Sequence, residues 1–267
     1  MWVGELHLDF ERAGEKTVLA RRRHRGPLLV QRAFYEPDGG CQVYVLHPPG
    51  GVVGGDQLCL DFRVRPGARA LVTTPAATKL YRSAGQASLL EQRFNVEADA
   101  VLEWLPLETI IYAGAHARAE TRVELGPGSH FVGSDITCLG HDDNGFPRGN
   151  IVQRWRIERE GQPLWSERAV FEGGGAVLEA SWGLAGRPVV GTLIGTGASA
   201  RDVDVLRARL PQSDRDWFSV TRVGEVLVCR YLGYSAEAAK AFFYMAWAAL
   251  RQGVSGREAH HPRVWAT

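Results

Sequence analysis

The stretch VRPGARALV, Val64 to Val72, leads a β-branched residue into a proline–glycine turn and out into a second apolar run. Three later stretches repeat the plan. VEADAVLEW begins at Val96, VELGPGSHFV at Val123 and IEREGQPLW at Ile157, at spacings of 32, 27 and 34 residues. A strand–turn–strand unit recurring at such a period predicts stacked β layers, each unit burying its apolar face on the next. The expected fold class is all-β dominated, with stacked β layers of solenoid or β-helix type and two α-helices in the C-terminal third.

Outward from these units the pattern holds. In ELHLDFE, Leu6, Leu8 and Phe10 share one strand face. In CQVYVLH, Cys41, Val43 and Val45 oppose Tyr44 and Leu46, so both faces read as buried. Turn signals recur, among them PDGG at 37–40, GPG at 126–128 and GGG at 173–175. No helical period precedes residue 199. SARDVDVLRARL then opens with Ser199 as N-cap and stops at Pro211, and SAEAAKAFFYMAWAALRQG runs from Ser235 to Gly253. GEVLVCRYLG between them reads as a buried strand. The expectation is a single domain over 1–267, β-rich over 1–198, with helices at about 200–210 and 236–252 packed on it. RRRHR at 21–25 reads as a solvated charged turn.

The 267 residues carry 31 basic and 30 acidic side chains, a net charge of +1. That balance gives no reason to expect nucleic-acid or anionic-membrane binding. Cysteines stand at 41, 59, 138 and 229 with no C-x-x-C pair, which reads as a reduced, intracellular chain. The start, MWVGELHLDFER, lacks a signal-peptide pattern, and no run has membrane-spanning length. The expected location is cytoplasmic.

HPPGGVVGGDQL, His47 to Leu58, concentrates four glycines and two prolines beside His47 and Asp56. A phosphate loop needs a lysine after the glycines, and a dinucleotide fingerprint needs a helix; neither follows. His47 and Asp56 are chemically competent metal ligands, yet no second ligand stands at a helical spacing. Asp142-Asp143-Asn144-Gly145 lacks calcium-loop spacing and reads as an exposed turn. Asp56, Glu108 and Asp135 each stand near a strand end, so a paired-carboxylate hydrolase stays open. Nucleophile signatures are absent. In ALVTTPAATKLYRS, 70–83, small hydroxyl residues flank a proline; this is a strand ending in a bend, or else a polar passage. LEWLPLETIIYAGA, 102–115, puts Glu108 in an apolar run, where a carboxylate needs a partner or water.

HPPGGVVGGDQL, TTPAATKLYRS, LEWLPLETIIYAGA, GSDI and the C-terminal PRVWAT occur in that order, with PLLVQRAFY at 27–35 ahead of them. Together they resemble the urease accessory protein UreD family, called UreH in some systems, from about residue 4 to the end. Leu107 departs from the family's usual Gln, and LGHDDNGFPRGN at 139–150 from a more regular block. The resemblance implies a non-enzymatic chaperone with a β-rich, layered fold. Its implied partners are the urease structural subunits, UreF and, through UreF, the GTPase UreG, which carries nickel. It also implies a water-filled internal tunnel for Ni²⁺ and no tightly bound cofactor.

On that resemblance, Asp56 is expected to face the route, with Asp135, Thr78 and Glu108 as further polar footholds for hydrated Ni²⁺ and His47 as an additional ligand. Nickel stands high in the divalent affinity series, so transit needs carboxylates, hydroxyls and water rather than a Cys or His cage. The rivals are a β-layered carbohydrate-active hydrolase built on the same carboxylates and an adaptor without metal transit.

Overall fold

A computed structural model of the chain describes residues 1–140, 145–255 and 257–266. Turn chemistry generates its architecture. In the first three repeats a four-residue turn redirects the chain: Ala68 N–H returns to the Arg65 carbonyl at 3.0 Å, Ala100 to Glu97 at 3.1 Å and Ser129 to Gly126 at 3.3 Å. The third residue of each turn has positive φ: Gly67 at 67°, Asp99 at 55° and Gly128 at 64°. Glycine takes that conformation freely and aspartate tolerates it. The turns also stack, with Gly67 N–H donating to Ala98 O at 3.0 Å and Asp99 N–H to Pro127 O at 2.9 Å. These bonds hold successive coils side by side, so the flanking strands pair in parallel.

One wall has five parallel strands: Val3–Ala13, Gln57–Val64, Ser88–Val96, His116–Leu125 and Asn150–Arg159. Lys16–Arg25 and Gln162–Glu172 add antiparallel edges, giving a seven-stranded sheet among the described residues. On the opposite wall Cys41–Leu46, Arg69–Thr73, Val101–Leu105 and His130–Leu139 run parallel. Val189–Thr196, Val226–Gly233 and Trp217–Val223 continue that wall antiparallel. The short strands Thr78–Leu80 and Thr109–Ile111 pair with each other, and the second pairs with the end of His130–Leu139, forming a third, bent face. Phe62 stacks on Phe94 at 4.9 Å between the main walls, and Phe94 meets Phe131 at 6.2 Å.

The repeat is real, with two adjustments. Val64 pairs opposite Val96, but Val96 lies opposite Leu125 rather than Val123. A slip of two residues preserves the face that each side chain takes. The fourth unit is a hairpin instead of a coil. Glu160 and Gly161 both have positive φ, 48° and 75°, and Arg159 pairs with Gln162 antiparallel. Positive φ at both central residues defines the two-residue turn that matches strand twist in a hairpin. RRRHR also differs from expectation: it is the exposed end of the edge strand Lys16–Arg25, not a turn. Charged side chains on an edge discourage pairing with other chains.

Three α-helices stand among the described residues: α1 (Ala176–Glu179), α2 (Ala200–Arg207) and α3 (Ala236–Ser255). The single turn α1 had no helical period to announce it. Ser199 and Asp202 form the capping box of α2, Asp202 N–H reaching Ser199 Oγ at 3.3 Å and Ser199 N–H reaching Asp202 Oδ2 at 2.7 Å. α3 runs past Gly253, which is no helix stop. A Cβ there would come within 2.5 Å of Asp202 Oδ1, so the glycine lets α3 approach α2. Trp247, Phe242, Ala246 and Leu250 of α3 are buried against the second wall with Leu193 and Leu227. None of these helices is long and apolar enough to cross a membrane, a statement confined to the described residues.

Candidate functional site

The second wall bends where Thr74-Pro75-Ala76-Ala77 and Pro106-Leu107 interrupt its strands. Proline lacks the N–H a ladder needs, and the small alanines leave space. Leu107 N–H is recovered by Thr74 Oγ1 at 2.9 Å, and Thr78 N–H by the Glu108 carbonyl at 2.9 Å. The bend leaves a cavity of about 660 Å³ between the walls. Leu58, Leu60, Leu90 and Trp104 supply apolar lining; His47, Thr78, Gln92, Ser134 and Asp135 supply polar groups. Pro48, Gly50 and Ala76 line it too and are exposed, which places its mouth beside the glycine-rich loop.

Asp135 lines this cavity from the strand His130–Leu139. Its Oδ1 accepts from Thr137 Oγ1 at 3.0 Å and its Oδ2 from Gln153 Nε2 at 3.0 Å. Burial, against these hydrogen bonds and with the Glu167 charge adding to it, pushes the carboxyl up to about 6. Beyond Asp135 lies a second, smaller cavity of about 90 Å³, lined by Asp135, Thr137, Gln153, Glu167, Thr192 and Arg230. Asp135 and Trp155 border both cavities.

The five candidates therefore separate. His47, Thr78 and Asp135 share the larger cavity. Burial lowers the His47 pKa from 6.5 despite the opposing pull of Asp56, leaving a neutral ring at pH 7. Asp56 is 6% exposed and is not among the lining residues. Its Oδ1 accepts from Trp2 N–H at 2.7 Å and its Oδ2 from Val53 N–H at 3.1 Å, so it ties the loop to the N-terminal strand. Glu108 lines a separate groove with Cys138 and Glu237, and the cation beside it is Lys240, 3.4 Å away. Asp142, Asp143 and Asn144 of the predicted exposed turn lie outside the described residues.

Gln153, Glu167, Thr192 and Arg230 were not found from the sequence. A signal was present: each breaks the apolar inward face of its strand. Gln153 sits between Ile151 and Trp155, Glu167 between Trp165 and Ala169, and Arg230 between Val228 and Leu232. Register gathers them, since Asp135 pairs with Thr192 and Thr192 with Arg230.

The arrangement speaks against sugar hydrolysis. Asp56 and Glu108, the two carboxylates expected to pair with Asp135, do not line the cavity that holds it. Two other carboxylates share a cavity with Asp135: Glu91, in the larger one, is ion-paired with Arg93, and Glu167 shares only the one of about 90 Å³. Small-molecule sites run to about 300–1,000 Å³. Among the described residues no three His, Cys, Asp or Glu side chains gather into a metal-holding group. All four cysteines are free, and burial pushes those of Cys41, Cys138 and Cys229 up to about 12.

Comparison with known proteins adds family evidence. The model of the UreD urease accessory protein family matches residues 3–266. The urease accessory protein UreD of Azoarcus sp. (strain BH72) is 46% identical over 270 residues, covering 100% of this chain and 94% of that protein. That of Dechloromonas aromatica (strain RCB) is 43% identical, covering 100% and 95%. Urease accessory protein UreD 2 of Brucella anthropi is 42% identical, covering 100% and 98%.

Proposed function

Because the chain belongs to the UreD family of urease accessory proteins, we propose that it serves urease maturation as a non-catalytic scaffold and cation conduit. It binds apo-urease and UreF in the cytoplasm, and UreG through UreF, and it passes Ni²⁺ toward the urease active site through its interior. The observation that carries this reading is the pair of adjoining cavities with Asp135 on their shared wall. A roomy interior with scattered oxygen groups suits a dication that must be released again, because hydroxyls and carboxylates hold nickel far more loosely than thiolates. Ni²⁺ is cargo here. Thr78, Ser134 and Asp135 offer it oxygen, and neutral His47 offers nitrogen near the mouth. Asp56 supports the mouth from outside the lining, and Glu108 stands apart from the route.

The test is Asp135→Asn in the chain co-expressed with UreF, UreG and the urease subunits. The expected result is a complex that co-purifies as the parent does, with urease nickel content and activity sharply reduced. Full nickel loading by the variant would sink the conduit, and failure of the parent chain to co-purify with UreF or urease would sink the scaffold.

A further inference from the structure

The narrow cavity contains a cation of the protein's own. Arg230 Nη1 lies 2.5 Å from Glu167 Oε1 and 2.9 Å from Thr192 Oγ1. Thr192 is also the cross-strand neighbour of Asp135, so Asp135, Thr192 and Arg230 form one row across three strands. Adjacent strands lie about 4.8 Å apart, so this row leads from Asp135 toward the edge of the sheet. Glu167 faces the row from the hairpin strand Gln162–Glu172. The Arg230 side chain is 40% exposed and that of Glu167 21%, which puts this ion pair at the outer end of the smaller cavity.

We propose that Arg230 is a gate at this end: its guanidinium is the resident counter-cation of Glu167 and keeps the carboxylate closed to divalent cations until it swings aside. The proposal rests on the conduit reading. Space and charge support it. Liquid water takes about 30 Å³ per molecule, so a cavity of about 90 Å³ holds only a few. A hydrated dication entering it must exchange part of its shell for protein oxygens. Asp135, Thr192 and Glu167 supply them, but a dication and a guanidinium on one carboxylate repel strongly. The Trp165 ring already lies beside the arginine, its centre 5.9 Å from the guanidinium carbon, so the guanidinium can leave Glu167 and keep that face. An aromatic face is a favourable resting place for a planar cation.

The experiment measures Ni²⁺ binding to the full chain by equilibrium dialysis in four forms: parent, Arg230→Met, Arg230→Met with Glu167→Gln, and Arg230→Lys. Removing the resident charge is expected to tighten Ni²⁺ binding by about tenfold, allowing for solvent screening of a partly exposed pair. The double variant is expected to return to the parent value, and Arg230→Lys to stay near it. Equal affinity in the parent and Arg230→Met would overturn the gate, as would a double variant that keeps the gain. Failure of the conduit reading is separable, because it is read from urease nickel loading by Asp135→Asn and not from these affinities.

Discussion

Arg251 forks onto Glu103, with Nε 2.8 Å from Oε1 and Nη2 2.9 Å from Oε2. The two residues are 4% and 3% exposed, and they join α3 to the strand Val101–Leu105. Trp247 Nε1 donates to Glu103 Oε1 at 2.7 Å, and Glu36 takes another edge of the guanidinium at 2.6 Å. Arg257 extends the cluster by bridging Glu36 and Asp38. A buried charge survives only when matched and hydrogen-bonded, and a bidentate carboxylate–guanidinium pair does both.

Arg251→Met should therefore destabilise the fold by about 3–5 kcal/mol, because Glu103 and Glu36 lose their shared cation while still buried. Arg251→Lys should recover only part of that, since an ammonium cannot fork. Adding Glu103→Gln to Arg251→Met should return some stability by removing one stranded charge. Urea unfolding of the four proteins reads all of this. An Arg251→Met midpoint equal to the parent's would mean that the cluster does not anchor α3.

How much of this was readable differs by residue type. The coils were legible because their turns use local chemistry: Pro66-Gly67, Ala98-Asp99 and Pro127-Gly128 determine their own geometry. The capping box at Ser199 and Asp202 was legible for the same reason. The hairpin at Glu160-Gly161 was misread because it looks like a coil turn until both φ values are known. Glu103 and Arg251 stand 148 positions apart, and neither spacing nor period announces such a pair. The candidate site was half legible. Asp135, Thr78 and His47 line one cavity and Asp56 and Glu108 do not, because which side chains share a cavity depends on strand register across the sheet. Asp56 was expected to face the cavity, whereas its carboxylate accepts from the amides of Trp2 and Val53 and does not line it.

Asp56→Ala frees two amides at once, those of Trp2 and Val53. Leaving buried donors unsatisfied costs about 1–3 kcal/mol each. Some of this is relieved here because Val53 and Trp2 are exposed at their side chains and water can approach. The expected outcome is local: faster hydrogen exchange at both amides, with the parallel core near Leu60 and Phe94 unchanged. Asp56→Asn, which keeps one acceptor oxygen, should protect one amide more than the other. Unaltered exchange at Trp2 and Val53 in Asp56→Ala would remove the tethering role. A maturation defect in Asp56→Ala without this measurement would report loop damage as readily as lost cation transit.

Asp135 carries a pH signature. Its carboxyl titrates near 6 in the fold against an ordinary 3.8, chiefly through burial and then through the Glu167 charge. The folded state thus holds this proton more tightly than the unfolded chain does. Its contribution to stability is fully present below about pH 4, falls as pH rises, and is gone above about pH 7. A difference of that size corresponds to about 3 kcal/mol at most, and cavity water reduces it. Asp135→Asn has no proton to lose, and it keeps an oxygen for Thr137 while giving up one acceptor for Gln153. The variant's stability relative to the parent should therefore climb by about 2 kcal/mol between pH 4.5 and 7.5, whatever its offset at the acid end. Paired urea titrations across that range measure the difference directly, and groups not coupled to Asp135 cancel from it. A flat difference would mean that water solvates this carboxylate as well inside the cavity as outside, and the proposed conduit would then lose the distinct environment assigned to Asp135.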